Sequence, residues 1–431
     1  MTLSLVVTAQ AAAEPPPPPL PREPAQSIPA APESTETEAP RPKLGSEAPA
    51  PFEAIGKQKH FSLTGTVWVD IMHDINAVGL STMDGFFNEF IVGQIPIAGE
   101  AAQRTNRTGF SGNQSSLVLE AFAPTPWGDF DFYSKINLFG SATGPTPQIQ
   151  MYKIWARWAW LFVGLDYTQI TNSSTIPDTL DFEGPQVIPE GRPIQFAIEI
   201  PLQRLQRQGV ESGWYLSIGA EDDPADMTLP EDAFVRGRIP AFIGKFIYRR
   251  GIADVELAAV YRRLGARGGG IDSDINGWGL VFDGLVNVGT RGDNFIFGGI
   301  AGQALGALID DTQGFGLDAA PESAGSSELK PIPAYGFWLA YQHWWLTALR
   351  STATVGYLHL NTGFDETPNP EGIYAASIYS SLNLIWSPWH AVDIGMEWSF
   401  GWRRITENSA VDGQTRNYNH RLQWSFAFSF Q

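Results

Sequence analysis

The chain has 431 residues, a formal net charge of −18, only 17% charged residues and no cysteine, yet it carries 15 Trp, 26 Phe and 12 Tyr. The acidic balance excludes a nucleic-acid partner, which selects basic surfaces, and the absence of Cys excludes disulfides and thiolate metal sites. No apolar run approaches the ~20 residues of a spanning helix.

Residues 1–13 read as the remnant of a signal peptide. Leu3 to Thr8 is apolar and is followed by Ala9-Gln-Ala11 and Ala11-Ala-Ala13, although the charged leader is missing and the natural start is expected upstream. An Ala-rich start with no such role is the other reading. Residues 14–51 hold 13 of the 32 prolines, with Glu33, Glu36 and Glu38 interspersed. Such a segment builds no core, so 14–60 is expected to be a disordered, partly polyproline periplasmic arm. It is either a passive tail or a contact to the cell wall.

From Phe61 onward strands and loops alternate. The spacing predicts strands at 61–75, 113–123, 128–139, 148–158, 160–169, 193–201, 213–221, 236–249, 252–264, 273–287, 292–306, 333–346, 349–362, 372–386, 389–404 and 417–431. Short turns join even to odd strands, while 76–112, 170–192, 222–235, 307–332 and 405–416 are long connections joining odd to even. Short turns on one rim and long loops on the other define an all-β fold, a transmembrane antiparallel barrel of 16 strands.

Several strands separate a lipid face from an inner face. In 252–264, Val255, Leu257, Ala259 and Tyr261 oppose Asp254, Glu256 and Arg262; in 128–139, Asp131, Tyr133, Lys135 and Asn137 point inward. In 372–386, Tyr374, Ala376, Ile378, Leu382, Leu384 and Trp386 face out. In 389–404, Val392, Ile394, Met396, Trp398, Phe400 and Trp402 face lipid, leaving Asp393, Glu397, Ser399 and Arg403 inside. Strands 148–158, 236–249 and 349–362 are ambiguous in parity. The last strand is the clearest: Leu422, Trp424, Phe426, Phe428 and Phe430 lie on one face and Arg421, Gln423, Ser425 and Ser429 on the other. Trp127, Trp158, Trp160, Trp344, Trp345, Trp386 and Trp389 crowd the short turns, where an interfacial girdle belongs.

A barrel of this size leaves an aqueous channel, so selectivity depends on what narrows it. Connection 170–192 is the candidate constriction, with Asp178, Asp181 and Glu183 as carboxylates and Phe182 as an internal anchor. Folded inward, it would oppose Lys135, Arg238, Arg262, Arg403 and Arg421, with Asp254, Glu256, Asp393 and Glu397 as lumenal acids. Opposed charges create a transverse field that selects ionic solutes. An ordinary surface loop is the alternative. The acidic loops around Asp222, Asp223 and Asp226 and around Asp310, Asp311 and Asp318 read as solvated charge rather than as a metal site. The six histidines are scattered and no hydrolase, phosphate-loop or dinucleotide motif occurs, so neither an enzyme nor a cofactor is expected.

Leu161-Phe-Val-Gly164, Ile176 through Pro185, Ala123 through Asp129, Leu384 through Pro388 and the run from Gly395 to Arg404 resemble the DcaP-like family of trimeric outer-membrane porins. The resemblance covers 61–431. It implies a homotrimer embedded in outer-membrane lipid and lipopolysaccharide of a Gram-negative bacterium, passing small anions such as dicarboxylates. The chain departs from the family pattern at Trp68, Phe122, Gln148 and Gln150, where basic residues are expected, and at Lys135 and Asn137, where acidic ones are. The family's helical N-terminal arm is replaced by proline, and Gln431 follows the terminal aromatic. These changes imply a lumen less basic and more aromatic with the channel intact; the alternatives are a porin for uncharged solutes such as sugars or aromatics, lined by Trp68, Tyr133 and Tyr379, or a structural or adhesive barrel, plugged inside and tethered through its proline-rich arm.

Overall fold

Alternation of bulky apolar residues with polar or small ones is what a half-lipid, half-lumen wall requires, and it produces a closed antiparallel barrel of 16 staves. The computed structural model describes residues 59–77, 89–140, 148–202, 205–207, 210–236, 239–289, 292–323, 325–362 and 372–430. The segment 1–58, with the signal-peptide remnant and the proline-rich arm, lies outside them, as do Arg238 and Gln431.

The staves are β1 (His60–Asp74), β2 (Ser116–Thr125), β3 (Gly128–Asn137), β4 (Gln150–Trp158), β5 (Leu161–Leu165), β6 (Ile194–Pro201), β7 (Val210–Glu221) and β8 (Ala241–Arg250). The circuit continues through β9 (Ala253–Gly268), β10 (Ile271–Val288), β11 (Asp293–Gln303), β12 (Pro333–Leu346), β13 (Leu349–Leu360), β14 (Tyr374–Trp389), β15 (Val392–Ile405) and β16 (Arg416–Phe430). Each stave pairs with the next, and β16 closes on β1 in the register Gly65↔Phe430 to Asp74↔Arg421. Three short strands, Arg107–Ser111, Leu205–Arg207 and Ala233–Val235, extend the wall at its rims.

The predicted lipid face is exposed along the closing stave, where Trp424, Phe426, Phe428 and Phe430 alternate with buried Arg421, Gln423 and Ser425. Two expected orientations are reversed. Tyr374 points inward because the β14–β15 ladder slips between Tyr374 and Ala376, so its hydroxyl donates to Asp311 at 2.7 Å. Trp344 is buried inside, its ring 5.5 Å from the Arg350 guanidinium, whereas Trp127, Trp160, Trp345 and Trp389 are exposed at the short-turn rim. Stave β5 is shorter than predicted. Gly164, at φ 147°, lies so close to β4 that a Cβ would stand 2.4 Å from the Trp155 Cα, a position only glycine fills.

Inside, the barrel is not uniformly polar. Ala258, Val260, Val281, Ile296, Ile300, Trp338 and Leu358 project inward and pack on Leu305, Leu308, Ile309 and Leu317 of the β11–β12 connection. Ile170, Val187 and Ile188 of the β5–β6 connection join the same cluster. Room for the Trp338 indole comes from Gly298, where a Cβ would fall 2.0 Å from the ring. Strands covered on both faces read as continuously apolar, as Ala334 to Ala340 does.

Candidate functional site in the barrel lumen

Three connections enter the barrel and lock together. The β5–β6 connection is pinned at its tip: the backbone N–H groups of Leu180 and Asp181 donate to the Glu397 carboxylate at 2.9 and 3.1 Å, and Gln423 and Gln114 donate to the Leu180 carbonyl. The Asn383 amide donates to the Asp178 carbonyl at 2.6 Å. Residues 89–97 of the β1–β2 connection lie against it, Phe90 N–H donating to Asp181 at 2.9 Å and Gly93 N–H to Asp311. The β11–β12 connection completes the junction through Asp311 N–H to the Gln186 carbonyl and Glu190 N–H to the Leu308 carbonyl.

The structure therefore places the 170–192 segment inside the barrel, where Asp181 has the expected Arg421 as a charged neighbour while Asp178 and Glu183 bind arginines that were not expected. Asp178 receives Arg350 Nε at 2.7 Å and Gln342 at 2.8 Å. Asp181 accepts from Phe90 and Gln186; burial pushes its carboxyl up, with Arg421 opposing. Glu183 pairs with Arg192 at 3.1 Å. Phe182 stacks on Phe139 at 4.5 Å and meets Tyr152 edge-on at 5.7 Å.

The predicted lumenal cations that the structure describes are all buried. Arg262, Arg403 and Arg421 are wholly buried and face no open channel. Arg262 is clamped by Asp223 at 2.7 Å and Asp318 at 2.8 Å and also donates to the Ala304 and Pro224 carbonyls. Arg403 donates to the Ile95 carbonyl at 2.9 Å, and Arg421 grips Asp74 at 2.9 and 3.0 Å. The loop acids Asp223, Asp310, Asp311 and Asp318, expected in solvent, are buried as well, because the loops bearing them pack within the barrel. Burial, together with Glu183, Glu190 and Glu89, drives the Asp310 carboxyl well above its usual range. Among the described residues no group of His, Asp or Glu is placed to hold a metal.

Of the predicted lumenal acids, Asp393 binds Arg350 at 3.0 Å and Glu256 binds Lys245 at 3.1 Å. Asp254 lies 3.5 Å from Arg249, and Glu397 anchors the loop tip. Lys135 is buried beside the Tyr152 ring. The sequence reading missed the cations of β4 and β8, where strand parity was ambiguous. Lys153, Arg157, Lys245 and Arg249 all point inward, and Arg192 joins them from the loop. Along β10–β15 the inward side chains are nearly all buried. By contrast, Arg192 and Arg249 keep 23% and 26% of their side-chain surface exposed, with Tyr133, Arg157, Phe162 and Glu199 half-buried beside them. The accessible part of the lumen is thus one-sided, along β3–β8.

These features define a transmembrane β-barrel with the porin fold, its lumen entered by an inward-folded loop. More particularly, the chain has the DcaP-like porin fold. It superposes on the crystal structure of the outer membrane channel DcaP of Acinetobacter baumannii with a TM-score of 0.71, covering 86% of this chain and 97% of that one at 14% sequence identity. An anion-selective porin from Comamonas acidovorans matches with a TM-score of 0.51 over 86% of this chain and 100% of that one, at 11% identity. Likeness at these identities establishes the fold. No family model and no curated protein matches the sequence.

Proposed function

We propose that the protein is a passive outer-membrane porin for small polar or anionic solutes, working as a homotrimer among lipid and lipopolysaccharide of a Gram-negative bacterium. The observation that carries this reading is the one-sided lumen: Arg192 and Arg249, each about a quarter exposed, line β3–β8 while the opposite interior is filled. Filling half the barrel narrows the passage, and the cations left along the remaining wall favour anions by raising their local concentration. The carboxylates beside them, Glu183, Asp166, Glu199 and Glu256, are ion-paired, so the field is moderate.

A second reading has its own observation. The apolar cluster between β8–β14 and two inserted loops resembles a plug, as a structural barrel would have. Planar-bilayer conductance of the purified protein separates the two. Stepwise current with an anion-leaning reversal potential under a salt gradient is the expected result; correctly folded protein that passes no current belongs to the plugged barrel.

A further inference from the structure

The lipid face of β15 and β16 ends in two arginines. On β15 the outward positions run Ile394, Met396, Trp398, Phe400 and Trp402, then Arg404; on β16 they run from Phe430 through Trp424, Leu422, His420 and Tyr418 to Arg416. The ten residues from Ile394 to Arg404, at ~3.4 Å each and tilted by ~40°, rise about 26 Å, the height of the apolar band of such a barrel. Arg404 therefore emerges at the long-loop rim, level with lipid head groups.

Arg404 and Arg416 are register partners, directly opposite each other on the outer face. Like charges in that position destabilise a sheet. The row continues through Ala376 to His359 on the two preceding staves, and Arg404 is the charged neighbour of both His359 and Tyr357. Arg404 Nε and His359 Nδ1 are buried and make no hydrogen bond among the described residues. Neither Arg404 nor Arg416 has an acidic partner among them, although Arg416 is exposed. The contrast lies on β9, where Arg263 likewise follows Val255, Leu257, Ala259 and Tyr261 outward. There the protein supplies its own counter-charge: Asp274 binds Arg263 at 3.2 Å and Arg236 at 2.7 Å.

We infer that Arg404 and Arg416 form a docking site for a phosphate group of outer-leaflet lipopolysaccharide, whose acyl chains lie along Trp402, Tyr418 and Phe400. Guanidinium forks match phosphate oxygens. An anion between the two arginines turns their repulsion into two attractions, and the strip beneath them is continuous with the lipid-facing wall. This rests on the outer-membrane placement proposed above and is independent of conduction.

Titration of the detergent-solubilised protein with lipid A, and with the same lipid stripped of its phosphates, tests the site by native mass spectrometry. Lipid A should bind and the stripped lipid should bind weakly, a comparison made on the unaltered protein. Arg404→Gln combined with Arg416→Gln should weaken lipid A binding about 10- to 100-fold, the worth of one charge-assisted hydrogen bond. Arg263→Gln should leave it unchanged. Equal binding of the stripped lipid, or an affinity unmoved by the double substitution, overturns the site. A double variant that keeps lipid A affinity but forms smaller oligomers also overturns it, and assigns the arginines to carboxylates of a second copy. Current steps in KCl are read separately: their absence overturns the porin reading and leaves the lipid result standing.

Discussion

Arg262 on β9 and Arg249 on β8 are inward-facing arginines on neighbouring staves, and their surroundings summarise the two sides of the barrel. Arg262 is wholly buried between Asp223, Asp318 and two carbonyls supplied by loops folded into the lumen. Arg249 keeps a quarter of its side chain exposed and shares itself loosely among Glu199, Asp254 and Glu256 at 3.4–3.7 Å. The same residue type on the same inner face is a structural clamp in one place and a wetted charge in the other. What decides is whether a loop covers it. A pore lining cannot be read from inward parity alone.

The comparison predicts unequal costs. Replacing Arg262 with Ala strands two buried carboxylates and should lower stability by about 3–5 kcal/mol. Replacing Arg249 should cost about 1 kcal/mol or less, since Glu199 and Asp254 stay partly exposed and buried Glu256 keeps Lys245 at 3.1 Å. Thermal unfolding in detergent measures both; equal losses would erase the distinction between a filled and an open side.

Acidity probes the loop junction. The Asp181, Asp310 and Asp311 carboxyls are all raised, chiefly by burial. Glu183, Glu190 and Glu89 push Asp310 further up, while Arg421 opposes the shift at Asp181 and Arg403 at Asp311. For an acid whose folded pKa exceeds its unfolded value, the folded state binds more protons between the two. Stability is therefore lost as pH rises from the ordinary carboxylate range near ~4 through the raised values, and is regained on acidification. The loops should dock more firmly as pH falls from neutrality, seen as slower proteolytic nicking of 168–190 and 304–320. Loops that loosen in acid would show that the buried carboxylates do not govern the junction.

Much of this was legible in the sequence. Alternation located the staves because each needs a lipid-compatible face. Parity failed where geometry breaks period two: the β3–β4 ladder slips between Lys135 and Ile136, which puts both Tyr152 and Lys153 inward, and the β14 slip turns Tyr374. The insertion of the β11–β12 loop was missed, although Ala334, Trp338 and Ala340 alternate with Tyr335, Phe337 and Leu339 and so left no polar face for water. A wall apolar on both faces needs a cover, and that signal was available. The ion-pair choices were not, since Arg262 meets Asp318 only because two distant connections enter the same barrel.

The smallest expected effect bears on the constriction itself. Asp178 is tied to Arg350 in the filled side, whereas Glu183 meets Arg192 at the border of the accessible wall. Glu183→Gln should release Arg192 from its counter-charge and shift the KCl reversal potential toward anions by a few millivolts, because nearby pairs still screen the change. Asp178→Asn should leave the potential nearly unchanged while weakening the loop's attachment. The opposite order, with Asp178 governing selectivity and Glu183 silent, would place the passage along the Arg350 side and reverse the assignment of open and filled halves.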